Sequence, residues 1–474
     1  MPAGNRASDQ TLVEQCVQWT LNRIDGQVFR AGMRLPSIRS LARERGVSPF
    51  TVVEAYERLV AGGHIEARRG SGFYVRERGR ESHFTESAET SRIDLGWLLH
   101  HMLAGSTSSQ GPGVGVLPAA WLDGAKLGTT LRSLGRQGNG RWLENAAPRG
   151  FQPLRVVIQQ RLAHLDILAK QEQIVLTTGI THALDLVARR LVRRGGTVLT
   201  FDPCWFGTYG VLASHGARVI GVPCTPHGPD LAMLERLVRE ERPQLLVASS
   251  AAQNPTGLSL SRQAVKDILA ITAKHDVPIF EDDAYADLCE SPITRLAAED
   301  GLDRVIHAGS FSKTLASNIR VGFLACRADI ANALADTKIL SGFTTPELNE
   351  RLVHEMLVES RYDNHVANLR KQLAECRGRT KKMLAAEGIE IFGEPVDGLF
   401  LWLNMHTDTN ELAAAWREKA MLLAPGGLFS PTQTASTWMR YNVTTPVDDR
   451  ILELFRSVRK SISGPAETGS SPGA

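Results

Sequence analysis

Apolar residues along this 474-residue chain follow two rhythms, separated by a stretch that has neither. Over residues 9–78 the spacing is first helical and then briefly alternating. Leu12, Cys16, Trp19 and Ile24 fall near one face of a helix predicted over Thr11–Ile24. A second helix starts at Leu35-Pro36-Ser37, where Pro sets the entry and Ser37 can cap, and it runs through Ile38, Leu41 and Ala42 to Gly46. A third opens at Val47-Ser48 with Ser48 as its cap, carries Val52, Val53, Tyr56, Leu59 and Val60 on one face, and ends at Gly62-Gly63. Two short strands follow, His64–Ala67 and Phe73–Arg76, joined by the tight turn Arg68-Arg69-Gly70-Ser71-Gly72. Residues 79–91 are polar and aperiodic, as a linker is.

From 92 to 462 the rhythm changes. Short apolar runs recur at Gln173–Thr178, Thr197–Phe201, Arg218–Val222, Gln244–Ser249, Val277–Phe280, Val305–Ala308 and Arg320–Cys326. Helical patterns separate several of them, notably Thr181–Arg194 and Ser261–His275. This alternation predicts an α/β domain with a mostly parallel sheet. Residues 463–474 are rich in Gly, Pro and Ser and read as a disordered tail. Gly111-Pro112-Gly113-Val114-Gly115 follows no strand, opens no helix and reads as a loop.

Charge sharpens the division. Residues 1–80 carry thirteen Arg, no Lys and eight acids, a local +5 against +3 for the whole chain, which leaves −2 for the rest. Arg suits bidentate phosphate and guanine contacts. Helix, helix-turn-helix and two-stranded wing is a winged helix-turn-helix order. It predicts the third helix in a major groove, with Arg68 and Arg69 at the wing tip against phosphates or the minor groove. A helical dimerisation module is the alternative. No apolar run approaches the ~18 residues of a membrane span. The N-terminus has no apolar signal region, and the six cysteines form neither a C-x-x-C pair nor a metal spacing. A cytoplasmic protein with reduced thiols and no metal is expected.

Ligands of parallel sheets bind at the carboxyl ends of strands, and the candidate chemistry falls there. Thr178-Gly179-Ile180-Thr181 opens a helix, where Thr181 can cap or bind an anion. Asp202-Pro203-Cys204-Trp205 offers an aromatic face that serves either a core or a ligand, and Asn254-Pro255-Thr256-Gly257 is a turn. Glu281-Asp282-Asp283-Ala284-Tyr285 stacks three acids at a strand end, costly to bury without a cation. Gly309-Ser310-Phe311-Ser312-Lys313 presents one amine among hydroxyls, with Arg320 seven residues on and Arg440 on a late strand-like run. Such an amine suits a Schiff base beside a phosphate.

Two resemblances follow from these residues. Arg34-Leu35-Pro36-Ser37-Ile38-Arg39-Ser40-Leu41-Ala42, then Gly46-Val47-Ser48, Thr51-Val52, Tyr56, Leu59 and Arg69-Gly70-Ser71-Gly72-Phe73-Tyr74-Val75, resemble the GntR family of winged-helix regulators. The resemblance implies double-stranded DNA as partner and gives Arg39, Ser48, Phe50, Thr51, Arg69 and Gly70 DNA-contacting positions. Pro49 stands where that family usually has a basic residue, which removes one contact.

The ordered set Gly-x-Thr, Asp-Pro-x-Trp, Asn-Pro-Thr-Gly, Asp-x-x-Tyr, Ser-x-Ser-Lys-x6-Arg and a late Arg resembles the fold-type-I pyridoxal-phosphate-dependent aminotransferases over 92–462, with a smaller C-terminal subdomain implied. Pro148 to Arg155 also resembles that family, although Asn145 stands where a Tyr often reaches the partner subunit's phosphate. By this resemblance Lys313 forms an internal aldimine, and Asp282 keeps the pyridine nitrogen protonated. Asn254 and Tyr285 bond the phenolic oxygen, and Trp205 stacks on the ring. Ile180, Thr181, Ser310, Ser312 and Arg320 surround the phosphate, and Arg440 clamps an amino-acid carboxylate. The two parts together resemble MocR-type regulators. They imply a homodimer that reads paired half-sites and senses pyridoxal phosphate or a small amine or amino acid. A working aminotransferase with an accessory head is the alternative.

Overall fold

The computed structural model describes residues 11–25, 28–29, 32–61, 64–68, 72–75, 111–136, 143–358 and 361–462. Arg69, Gly70, the linker reading at 79–91 and the tail reading at 463–474 lie outside the described residues. The chain divides into two units, Met1–Thr90 and Ser91–Ala474.

In the first unit, α3 (Pro49–Ala61) packs against both α1 (Leu12–Asp25) and α2 (Ile38–Arg45), and β1 (Ile65–Arg68) pairs antiparallel with β2 (Gly72–Val75). Caps set the helix starts. Ser37 Oγ accepts the Ser40 N–H at 3.2 Å, and Ser48 Oγ accepts the Thr51 N–H at 3.1 Å. Gly46, at φ +65, closes α2 in the left-handed region. Leu35, Leu41, Val52, Tyr56, Leu59, Ile65 and Val75 form the core. The Tyr56 hydroxyl donates to the Pro36 carbonyl at 2.9 Å and so locks α3 to the entry of α2.

The second unit is built on an eight-stranded mixed sheet in the order β3-β10-β9-β8-β7-β4-β5-β6. The strands are β3 (Ile174–Thr177), β4 (Thr197–Asp202), β5 (Arg218–Thr225), β6 (Gly228–Pro229), β7 (Leu245–Ala248), β8 (Ile279–Asp282), β9 (Val305–Ser310) and β10 (Gly322–Ala325). The five strands from β9 to β5 are mutually parallel. β10 runs antiparallel to both β9 and β3, and β6 runs antiparallel to β5. Alternation places Leu246 and Ile279 in one hydrophobic layer, Leu245 and Phe280 in the other. Helices cover both faces, which is why these strands read as continuous apolar runs. Arg320, expected to start the last strand, instead precedes it in the left-handed region (φ +52), and β10 begins at Gly322.

After the long helix Arg361–Glu387, an antiparallel sheet of β11 (Glu390–Ile391), β12 (Phe400–Asn404), β13 (Ala424–Pro425) and β14 (Trp438–Asn442) forms a smaller layer in the order β11-β12-β14-β13. Among the described residues no helix is long and apolar enough to cross a membrane.

The Pro148–Arg155 segment has a backbone reason for its glycine. Gly150 sits at φ +88, and a Cβ there would lie 2.6 Å from the Leu176 side chain. Gly128, inside the helix Gly124–Arg136, has only an Arg132 nitrogen at 3.7 Å. Gly150→Ala is therefore expected to cost about 2 kcal/mol or more. Gly128→Ala should be neutral or stabilising by about 0.5–1 kcal/mol. Thermal melting of the full chain checks both, and equal effects would refute the steric account.

Candidate functional site

The carboxyl ends of β3, β4, β7, β8 and β9 carry the chemistry, together with β14 from the smaller sheet. Lys313 lies in the connection between β9 and β10. Its Nζ donates to the Gly115 carbonyl at 2.8 Å and sits 5.7 Å from the Tyr285 ring centre. Burial pulls the amine down to about 8, the Arg440 charge pulls the same way, and Asp282 opposes both. The amine is thus far closer to its neutral, nucleophilic form at neutral pH than an exposed lysine is.

The acidic triplet resolves into three separate environments. Glu281 is fully buried and accepts the Leu296 and Ala297 N–H groups at 2.8 and 3.0 Å, with His307 Nδ1 at 3.2 Å and the Ser250 hydroxyl also bonded. Asp283 pairs with buried Arg295 at 2.6 Å. Asp282 accepts the Ala284 N–H at 3.0 Å, yet burial raises its carboxyl to about 6. Of the three, Asp282 is the acid a site cation would stabilise most, because Asp283 already has Arg295 and Glu281 is surrounded by hydrogen-bond donors.

Asn254 precedes the cis Asn254–Pro255 bond and joins two candidates. Its Nδ2 donates to the Tyr285 hydroxyl at 3.4 Å, and its Oδ1 accepts Arg440 Nη1 at 3.0 Å. Arg440 is only 1% exposed, which decides its chemistry. Nη2 donates to the Gly113 carbonyl at 2.7 Å, and Nε has no partner. The guanidinium carbon lies 4.4 Å from the Phe400 ring centre and 5.1 Å from that of Phe429. Burial lowers its proton affinity to about 10, which leaves the cation intact at neutral pH. Tyr285 is held neutral by the same burial.

A second cluster forms where β3 meets β10. Arg320 donates through Nη2 to the Thr178 carbonyl at 2.6 Å and through Nη1 to the Ser312 hydroxyl at 3.2 Å. Ser310 Oγ bonds Ser312 Oγ at 3.1 Å. Gly179 stands at φ +100, and a Cβ there would lie 2.9 Å from Arg320 Nη2. Gly179 is the residue before the helix Ile180–Leu191, and no side chain caps that helix. Thr181 does not cap: it lies exposed one residue past the helix start. Bare helix N–H groups, hydroxyls and a guanidinium around a glycine suit a phosphate. Trp205 packs its indole over Gly207, where a Cβ would lie 2.3 Å from the ring.

Sequence reasoning missed the loop Gly111–Gly115 as part of this site. Besides the Gly113 and Gly115 carbonyls, it is held by Asn442, whose Nδ2 donates to the carbonyls of Val114 and Val116 at 2.8 and 3.0 Å. A Cβ on Gly113 would lie 2.5 Å from the Leu423 carbonyl carbon, so three glycines in five residues were the available signal. His182, which accepts the Thr178 N–H at 3.1 Å, was also missed. A cavity of about 1270 Å³ is walled by Arg161, Asp283 and Arg295 and reaches Ser310, but none of Lys313, Asp282, Asn254 or Arg440 lines it.

In the head, Arg39, Ser48 and Phe50 are exposed, with Thr51 half-buried beside the Ser48 cap. Arg68 closes β1. Asn145 is exposed.

Residues 148–455 match the family described as aminotransferase class I and II. The chain belongs to that family. Residues 12–75 match the bacterial regulatory proteins of the gntR family. The chain is 28% identical to the uncharacterized HTH-type transcriptional regulator YdcR of Escherichia coli (strain K12), over 95% of this chain and 98% of that one. It is 27% identical to the HTH-type transcriptional regulator NorG of Staphylococcus aureus (strain USA300), over 79% and 87%. Among solved structures, the α-aminoadipate aminotransferase LysN of Thermus thermophilus, complexed with N-(5'-phosphopyridoxyl)-L-leucine, aligns with TM-score 0.70 and 26% identity over 77% of this chain and 94% of that one. A GntR head on an aminotransferase-family body, with relatives of nearly the same length named as regulators, makes this a MocR-type, DNA-binding regulator. Its cofactor is pyridoxal 5'-phosphate.

Uptake of that cofactor should follow the fraction of neutral Lys313. Its rate is expected to rise from pH 7 to 9 with a midpoint near 8. Arg440→Gln removes a repelling charge and should move the midpoint to higher pH. Absorbance during mixing at fixed excess of aldehyde measures both, and a midpoint above pH 10 in the unaltered protein would contradict the burial argument.

Proposed function

We propose that the body of this regulator holds pyridoxal phosphate at Lys313 and senses either the cofactor or an amine or amino acid that reacts with it. When bound, the cofactor supplies a reactive aldehyde and an electron-withdrawing ring. Lys313 offers the amine for that aldehyde, with its proton affinity already lowered. Asp282 holds a proton at the pyridine nitrogen, a charge-assisted bond worth about 1.5–3 kcal/mol. Asn254 and Tyr285 donate to the phenolic oxygen, and Trp205 covers a ring face. Ile180 and Thr181 at the open helix start, with Ser310, Ser312 and Arg320, take the phosphate. Arg440 takes the carboxylate of an amino-acid effector, exchanging a neutral carbonyl acceptor for a charged one.

The observation that carries this reading is the convergence of Lys313 and Arg440 on one loop. Both cations donate to carbonyls two residues apart, Gly115 and Gly113. One ligand can therefore meet the amine and the guanidinium together. The protein is proposed to be a cytoplasmic homodimer whose two heads read paired half-sites, with Arg39, Ser48, Phe50, Thr51, Arg68, Arg69 and Gly70 on DNA. The regulated genes fit vitamin B6 or amino-compound metabolism.

Retention of Asn254, Asp282, Tyr285, Lys313 and Arg440 keeps transamination chemically open as a second activity, less favoured than regulation because full-length relatives are named as regulators. Wild-type protein mixed with pyridoxal phosphate should develop a visible-range absorbance band, and Lys313→Ala should not. Cofactor or effector should change DNA affinity by about fivefold or more in the wild type and leave Lys313→Ala unchanged. An equal band in the variant, or rapid transamination with no DNA binding, defeats the proposal.

A further inference from the structure

The start of α3 has an unusual chemistry for a surface that meets DNA. Its first turn, Pro49-Phe50-Thr51-Val52, has no charged residue, and Pro49 has no N–H to donate. The two hydroxyls there are already joined, Ser48 Oγ to Thr51 Oγ1 at 2.8 Å, with Ser48 also accepting the Thr51 N–H. Phe50 is 77% exposed, whereas Val52, Ala55, Tyr56 and Leu59 behind it are buried. A large apolar ring thus projects from the helix start, outside the core cluster of the head. Exposed Arg39 and Arg43 on α2 supply positive charge in the same helix-turn-helix.

We infer that Phe50 selects a thymine, by packing its ring against the 5-methyl group in the major groove. The inference rests on the reading of α3 as the helix that enters that groove. Phe50 cannot donate or accept a hydrogen bond, so it cannot read the polar edges of guanine, adenine or cytosine. The thymine methyl is the apolar group that the major groove displays. Arg39 and Arg43 hold the register through phosphates, and carry no base information in doing so. With no charge in this first turn, the start of α3 adds selection of an A·T pair rather than salt-dependent affinity.

The test uses the full-length protein and double-stranded DNA. A binding site is first selected from random-sequence duplexes. Each thymine in it is then replaced, one at a time, by deoxyuridine, which lacks only the methyl. At one thymine of each half-site the replacement is expected to weaken binding about fourfold, the worth of one methyl kept from water. Phe50→Ala should weaken binding to the thymine duplex and lose no more on the deoxyuridine duplex. Phe50→Leu, which keeps an apolar side chain, should retain part of the discrimination. If no thymine responds, or if Phe50→Ala still discriminates as the wild type does, the inference is overturned while DNA binding stands. If no sequence is selected at all, the reading of α3 fails and takes the inference with it.

Discussion

Burial of two cations beside one loop is the constraint on which the rest of the site depends. Taking a guanidinium and an ammonium out of water costs several kcal/mol each unless the fold supplies partners. Arg440 has the Asn254 and Gly113 oxygens and the rings of Phe206, Phe400 and Phe429. Lys313 has the Gly115 carbonyl and the nearby Asp282 charge, and a lowered proton affinity makes up the rest. The two cations also repel each other. An anionic ligand placed between them would relieve both penalties at once.

The neighbouring acids show how specificity is kept in so polar a place. Glu281 is hydrogen-bonded by backbone N–H groups and His307, and Asp283, just past the end of β8, is paired with Arg295. Asp282 is left with one backbone donor and a raised proton affinity. The flanking hydrogen bonds and the Asp283–Arg295 ion pair hold the backbone on either side of this carboxylate. The head is stabilised by other means. Two serine caps and the Tyr56 bond to Pro36 fix its helices, and the exposed ring of Phe50 is left over from the core.

Much of this was legible in the residues. Strand positions were visible because strands covered on both faces give unbroken apolar runs, and the head was visible because Ser37, Gly46 and Ser48 punctuate it. The motif residues lay just beyond strand ends, where a parallel sheet exposes ligand chemistry. Other features carried no local signal. The Gly111–Gly115 loop is remote in sequence from everything it touches. Of the two roles open to Thr181, capping fell away because the helix starts at Ile180 after Gly179, a position where the Arg320 guanidinium packs where a Cβ would stand.

By itself the sequence carried the two-part organisation and the strand-and-helix alternation of the body, which follow from periodicity and capping, while short motifs together with the family resemblance picked out Lys313, Asp282, Arg320 and Arg440. Only the tertiary structure decided how they meet. The antiparallel insertion of β10 between β9 and β3 pairs Gly322 with both Ser310 and Thr177, and this register carries Arg320 to Gly179 and the Thr178 carbonyl. Packing of β14 and the glycine loop brings Arg440 to Asn254 and Gly113, across sequence separations of 186 and 327 residues. Such contacts arise from sheet order and burial of charge, which no window of neighbouring residues encodes.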